Sequence, residues 1–298
     1  MEEREWLTER FQQHRPHLRG VAYRMLGSVS DADDALQEAW LRLRGQDPRS
    51  VENIQAWLTT IVGRVCLKML RARRARREQL TEVHVPDPVV SLDDPGPEQE
   101  ALVADSVGLA LLVVLDALSP AERLAFVLHD VFGVPFADIA AVLDRSEPAA
   151  QQLASRARRR VHGSPQPDPD LTRQRQVVDA FFAASRDGDF DALVAVLDPG
   201  VELRIDGGAA REKASLVLRG AAAVAAYSAT YSGLFPFVRP ALVNGAAGAV
   251  VAPAGRVFSV MAFTVTHGKI TQIDALVDPE RLAGLGLTIP PPGPDDGR

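Results

Sequence analysis

LSPAERLAFVLHDVFGVPFADIAAVLDRSEPAAQQLASRARRRV, residues 118–161, reads as a helix-turn-helix. Ser119 caps a helix with Pro120 at its first position and Glu122 at its third, the pattern of a capping box. Gly133-Val134-Pro135 breaks the chain, a short helix follows from Phe136 to Leu143, and Asp144–Ser146 makes a tight turn. The last helix, from Glu147 to about Val161, gathers Ala150, Leu153, Ala154, Ala157 and Val161 on one side. Its other face presents Gln151, Gln152, Ser155, Arg156, Arg158 and Arg159, with Gln152, Arg156 and Arg159 at i, i+4, i+7. Gln and Arg make bidentate contacts to adenine and guanine edges, so this face suits the major groove of DNA. An ordinary helical hairpin with an Arg-rich end has the same spacing, and the cation cluster on the second helix favours DNA.

Working toward the N-terminus, the next informative helix has Trp57, Leu58, Ile61, Val62 and Val65 as an apolar stripe. Arg64, Lys68 and Arg71 fall at i, i+4, i+7 on another face, and RARRARR (71–77) continues from it. Residues 53–77 contain seven cations and no acid, more than complementation of a helix C-terminus requires, so phosphate binding is the better reading. Upstream, SDADDALQEAWLRL (30–43) predicts a helix capped by Ser30, with Asp33 at the capping-box position. Leu36, Ala39, Trp40 and Leu43 form its buried stripe, and Asp34, Gln37, Glu38 and Leu41 face elsewhere. From pattern alone that acidic face is either solvated or a contact surface.

At 298 residues, the chain has room for about two domains of ~100–200 residues. One cysteine, Cys66, leaves no intramolecular disulfide and fits a reducing, cytoplasmic setting. The six scattered histidines suggest no metal site, and no apolar run reaches the ~18–20 residues of a membrane span. The acidic MEEREW start is no secretory signal. The net charge of −6 argues against a stand-alone nucleic-acid binder, yet the charge is uneven, with no Lys or Arg from 79 to 122. Local basic stripes beside an acidic stretch suit a protein that binds DNA only when a partner supplies most backbone contacts.

Three segments emerge: all-helical from 5 to 78, helical from 98 to 162, and a β-rich segment from 171 to 287. Residues 79–97, whose TEVHVPDPVVSLDDPGP (81–97) holds four prolines, and residues 163–170 read as linkers, and 288–298 as a disordered tail. In the third segment two short helices precede predicted strands at Val201–Ile205, Phe237–Val243, Ala247–Val251, Val257–Thr266 and Ile270–Leu276.

FQQHRPHLRGVAYRMLGSVSDADDALQEAWLRL and IQAWLTTIVGRVCLKMLRARRARRE, followed by the helix-turn-helix, resemble regions two and four of the extracytoplasmic-function (group IV) sigma factors over residues 1–162. The resemblance implies two all-α sigma domains, an RNA polymerase core partner and promoter DNA. It gives the acidic helix a grip on the clamp of the polymerase largest subunit through Asp33, Asp34, Gln37 and Glu38. It gives Asn53, Trp57, Arg64, Lys68, Arg71, Arg73 and Arg74 to the minus-ten element, with the loop Gln46–Asn53 and the helix Ile54–Arg77 holding extruded bases. Gln151, Gln152, Ser155, Arg156 and Arg159 read the minus-thirty-five element.

VVDAFFAASRDGDFDALVAVLDPGVEL (177–203) resembles the opening of a SnoaL-like α+β cone, and sigma factors with that extension form a SigJ-like subgroup. The resemblance implies that the extra domain modulates the factor in cis. Three regulatory motifs of the subgroup have altered counterparts: Val85-Pro86-Asp87-Pro88, Asp206-Gly207-Gly208-Ala209-Ala210-Arg211, and Asp278-Pro279-Glu280-Arg281-Leu282. Arg204, Arg211 and Arg281 are candidates for a clamp between domains. The acidic linker is expected either to enter a positively charged polymerase channel or to fold against the basic helices.

SnoaL-like cones include enzymes that move protons with a buried Asp or His, so Asp206, Asp274 and His267 are weighed. Asp206 precedes Gly-Gly as a turn residue, His267 falls in a hairpin turn at the rim, and the direction of Asp274 is undecided by pattern. No two of them form a motif, so the domain reads as a non-enzyme without cofactor, either a contact surface or a pocket for a small-molecule signal. Two rival readings stand beside the sigma factor. One is a stand-alone helix-turn-helix regulator with a ligand-sensing domain, and the other a SnoaL-like enzyme fused to a DNA-targeting module.

Overall fold

A computed structural model describes residues 2–43, 53–77, 83–92, 109–163 and 167–289. Most of the loop 46–53, the tail beyond 289 and the acids at 82, 93, 94, 98, 100 and 105 lie outside the described residues. The chain divides into two compact units. The first holds the described residues up to 77 and from 114 to 163, and the second those from 83 to 113 and from 167 onward.

In the first unit, α1 (Glu2–Leu26), α2 (Val29–Leu43) and α3 (Ile54–Arg77) pack together. Leu18, Val21 and Met25 of α1 meet Ala32, Leu36 and Leu43 of α2 and Leu58, Val62 and Val65 of α3 in a fully buried core. The start of α2 differs from the sequence expectation. Ser30 lies inside the helix, and the cap is Ser28, whose Oγ accepts the Asp31 N–H at 3.3 Å. Two serines flank Val29, and the one nearer the Gly27 turn, at φ 72°, takes the capping role.

After α4 (Leu109–Asp116), α5 (Pro120–Phe126) has the predicted capping box of Ser119 and Glu122, and runs on as a π-turn over Val127–Val131. Next come α6 (Phe136–Leu143), a left-handed Asp144 at φ 56°, and α7 (Glu147–His162). Ala150, Leu153, Ala154, Ala157 and Val161 are buried, as the periodicity of that helix requires. The first helical segment and the second from residue 114 onward, read separately in the sequence, are here one unit. Arg123, 2% exposed, donates to the Arg24 carbonyl at 3.1 Å and to Asp116 at 3.2 Å. The Arg24 guanidinium lies 5.3 Å from the Phe132 ring centre, and His17 meets that ring edge-on.

The second unit is an α+β domain. It contains α8 (Leu171–Asp187), α9 (Phe190–Val196), α10 (Ala221–Ala229) and α11 (Pro279–Gly284). Its strands are β1 (Val90–Ser91), β2 (Leu197–Asp206), β3 (Leu216–Arg219), β4 (Val238–Val243), β5 (Ala246–Val251), β6 (Ser259–Thr266) and β7 (Lys269–Leu276). They form one sheet in the order β1-β4-β5-β6-β7-β2-β3, antiparallel except for the β2–β7 pair. Phe181 and Phe182 of α8 each meet Phe263 edge-on at 5.5 Å between ring centres, Phe182 also meets Phe235 at 5.8 Å, and these contacts anchor the helix to the sheet. The expected strands are present, whereas β1, inside the expected linker, and β3 were not anticipated.

Candidate functional site

On α2, Asp34 and Gln37 are exposed, and Leu41 beside them is 51% exposed, an apolar side chain on an otherwise polar face. Asp33 is half-buried and held by Arg19, whose Nε and Nη2 donate to its two oxygens at 3.0 Å each. Glu38 pairs with Arg42 at 2.8 Å. The outward face of α2 therefore consists of Asp34, Gln37, Glu38 and Leu41, while Asp33 also braces α1.

On α3, Asn53 caps the helix by accepting the Ala56 N–H at 3.0 Å, and Trp57 is half-buried. Lys68, Arg71 and Arg74 are exposed, and so is Arg64, which donates to the Ala141 carbonyl of α6 at 3.4 Å. Arg73 donates to the Leu26 carbonyl at 2.8 Å and pairs with Asp31, so it ties α3 to the α1–α2 turn. On α7, Gln151, Gln152, Ser155, Arg156 and Arg159 are exposed. Arg156 also approaches Glu122 at 3.7 Å, and Arg158 pairs with Asp130.

In the second unit, three motifs distant in sequence meet. Asp206 closes β2, and its Oδ2 accepts the Val85 N–H at 2.8 Å and Arg281 Nη1 at 2.6 Å. His84 Nδ1 lies 3.5 Å from the same oxygen. Arg281 Nε donates to Asp87 at 2.6 Å, and its Nη2 to the Val85 carbonyl. Pro86 and Pro88 bring no N–H of their own, so the buried stretch leaves few donors to satisfy. Val89 exchanges two hydrogen bonds with Asn244, at 3.0 and 2.8 Å, and Val90–Ser91 then pair with Val243 and Leu242 at the sheet edge. Within the described residues 83–92 the linker joins the sheet edge as an added strand.

The turn after β2 demands glycine. Gly208 has φ 58°, and a Cβ on it would lie 1.7 Å from Asp278 Oδ2. A Cβ on Gly207 would lie 2.2 Å from the Arg211 carbonyl. Asp278 caps α11 by accepting the Glu280 N–H at 2.9 Å, with Pro279 in the first turn, which sets Arg281 in place. Burial alone would raise the Asp206 pKa, but His84, the Val85 N–H, Arg281 and the Gly208 N–H outweigh it and hold the carboxyl well below its usual range. Val85 stands out in the sequence only as part of its motif, and His84 and Asn244 do not stand out, although Asn244-Gly245 is a hairpin-turn signature.

Inside the sheet's curl lies a mostly apolar cavity of about 300 Å³, lined by side chains such as Phe181, Leu203, Phe235, Ile273 and Ala275. Arg211, Tyr227 and Tyr231 also line it. None of Asp206, Asp274 and His267 lies in that lining. His267 sits exposed in the β6–β7 turn at φ 53°, as expected. Asp274 alternates with Ile273 and Ala275, which both line the cavity, so it faces the other side of the sheet, 2% exposed. Burial pushes its pKa up to about 6, despite Arg204 at 3.8 Å and a hydrogen bond from Gln272 at 2.7 Å. Among the described residues no helix is long and apolar enough to cross a membrane.

Residues 10–76 match the family Sigma-70 region 2, and residues 108–161 match Sigma-70, region 4. The chain is 39% identical to the ECF RNA polymerase sigma factor SigJ of Mycobacterium tuberculosis over 293 residues, 93% of each chain. It is 34% identical to the probable ECF RNA polymerase sigma factor SigI of the same species, over 91% of this chain and 93% of that one. The crystal structure of the M. tuberculosis SigJ protein superimposes with a TM-score of 0.76 at 37% identity, covering 93% of this chain and 98% of that one.

Proposed function

The chain belongs to the extracytoplasmic-function sigma factors, which direct RNA polymerase core to promoters, and from that membership we propose that its C-terminal domain restrains the factor by holding the interdomain linker. The observation that carries this reading is the capture of Val85–Ser91 by Asp206, Arg281, Asn244 and β4. A linker built into a sheet edge is not available to run through a polymerase channel. The same chain segment serves one partner at a time, so holding it opposes assembly with the core enzyme.

Within the helical unit, the face of Asp34, Gln37, Glu38 and Leu41, with Asp33 braced behind it, is the surface for the polymerase clamp. Its exposed leucine among polar groups is what an interface core needs and a solvated helix does not. Lys68, Arg71 and Arg74, with Asn53, Trp57 and Arg64, serve the minus-ten element, while Arg73 contributes to stability more than to phosphate binding. Gln151, Gln152, Ser155, Arg156 and Arg159 serve the minus-thirty-five element, and the Arg64–Ala141 contact holds the two modules together in the free chain. Pro86, Asp87, Pro88, Asp206, Gly207, Gly208, Asp278, Pro279 and Arg281 are the regulatory set. The protein acts in the cytoplasm, where its polymerase is, and performs no covalent chemistry itself.

Run-off transcription with purified core polymerase, on the promoter of its own or a neighbouring gene, tests this with full-length protein and a chain ending at His162. Transcript from both, with more from the shorter chain, supports restraint in cis. Equal yields, or more from the full-length chain, would overturn the restraining role.

A further inference from the structure

The apolar cavity and the linker-holding cluster share a wall one residue thick. Ile205 and Val277 line the cavity, and each is followed by a cluster residue, Asp206 and Asp278. The Val277 N–H donates to the Asp206 carbonyl at 2.8 Å, so the two walls are bonded to each other. Arg211 belongs to both sites. Its backbone N–H closes the Gly207 turn at 3.1 Å, whereas its side chain enters the cavity lining, over the Phe258 ring at 5.2 Å. There its Nη1 donates to the Val277 carbonyl at 3.2 Å.

A guanidinium carries five N–H donors in a planar fork and no acceptor, which suits a carboxylate or carbonyl oxygen. Apart from Ser228 and Ser259 the rest of the lining is aliphatic and aromatic, with the Tyr227 and Tyr231 hydroxyls paired at 3.1 Å. A volume of about 300 Å³ is at the small end of small-molecule sites. We infer that the cavity is a receptor site for a small, mainly aromatic or alicyclic molecule with one anionic or carbonyl head group held by Arg211, and that its binding loosens the linker. The head group competes with the Val277 carbonyl for Arg211 and draws the side chain away from the end of β7, on which the Asp206–Arg281 cluster rests. The second half of this inference rests on the proposed restraint by the linker, and the first half does not.

The test uses the full-length chain and 2-naphthoate, a two-ring carboxylate, as probe. Calorimetric titration is expected to show one saturable site. Arg211→Met, which keeps the stem over Phe258 and removes the donors, should weaken 2-naphthoate about tenfold, the effect of one charge-assisted hydrogen bond, and leave neutral naphthalene unchanged. Leu234→Trp, at a half-buried position of the lining, should weaken both while leaving the melting temperature near wild type. Saturating 2-naphthoate should speed hydrogen exchange in the peptide holding Val85–Val89 severalfold in the wild type. No saturable binding, or equal 2-naphthoate affinity in Arg211→Met, overturns the receptor site. Binding with unchanged or slowed exchange overturns the coupling. Arg281→Gln without probe separates the two readings: it speeds the same exchange if the linker is held as proposed, and an unchanged rate overturns the restraint itself.

Discussion

Arg281 and Asp206 lie 75 positions apart and meet at 2.6 Å over an oxygen that also takes the Val85 N–H. The pair is mostly buried, with side-chain exposures of 21% and 3%, so Arg281 neutralises a carboxylate that has little water of its own. Removing Arg281 leaves that carboxylate and the one on Asp87 unpaired by it. Arg281→Gln is expected to cost about 2–4 kcal/mol in the stability of the C-terminal unit, below the full value for a dry pair because Arg281 keeps some solvent contact. Thermal unfolding of the variant at neutral pH measures it, and a loss below about 0.5 kcal/mol, the scale of a surface pair, would contradict the assignment.

The turn beside that pair is equally restrictive. Gly208→Ala should destabilise the domain by about 2 kcal/mol or more, since it combines φ 58° with a Cβ placed 1.7 Å from Asp278 Oδ2. Gly233→Ala is the control, because nothing lies within 4 Å of the added carbon and its φ is not positive. A melting curve for each variant decides, and equal shifts would refute the steric account.

Asp274 predicts a pH dependence of opposite sign to that of a paired carboxylate. Its folded pKa of about 6 lies above the ~3.9 of an unfolded Asp. The folded chain therefore holds a proton that the unfolded chain releases, and this contribution is intact below about pH 4 and is lost as pH rises through 6. Asp274→Asn, a neutral isostere, should raise stability at pH 8 by about 2–3 kcal/mol and change it little at pH 4. Denaturant titrations at the two pH values test this, and an Asn variant less stable at pH 8 would show that the charge of Asp274 is needed.

On α7, Gln152→Ala and Arg159→Ala should each lower run-off transcript by about tenfold, the order of one bidentate base contact, with core polymerase binding unchanged. Arg158→Ala, which removes the partner of Asp130, should cost stability more than promoter recognition. A reversed ranking in transcription and melting assays would move the reading face of the helix.

The helical half is largely legible from side-chain period. Ala150, Leu153, Ala154, Ala157 and Val161 are buried as the 3.6-residue repeat requires, and the Ser119–Glu122 box forms as written. Period does not say which exposed cation has an internal partner. Arg73 looks like its neighbours in sequence, and its ties to Asp31 and the Leu26 carbonyl are visible only in the fold. The strands β1 and β3 escape a local reading for different reasons. Val90–Ser91 is a two-residue strand whose partner is 151 or more positions away, and Leu216–Arg219 is a short edge strand that alternates between half-buried and exposed. The side to which Asp274 points was undecided because β7 is buried on both faces after its first turn of alternation. The three regulatory motifs are visible by resemblance, but their meeting through Arg281 is a tertiary fact.

Paired transcription and hydrogen-exchange measurements on wild type and Arg281→Gln, both full length, test the central claim most directly. Restraint by the held linker predicts that the variant exchanges the Val85–Val89 amides faster and gives more run-off transcript with the same core polymerase. Faster exchange with an unchanged or reduced transcript yield would contradict it.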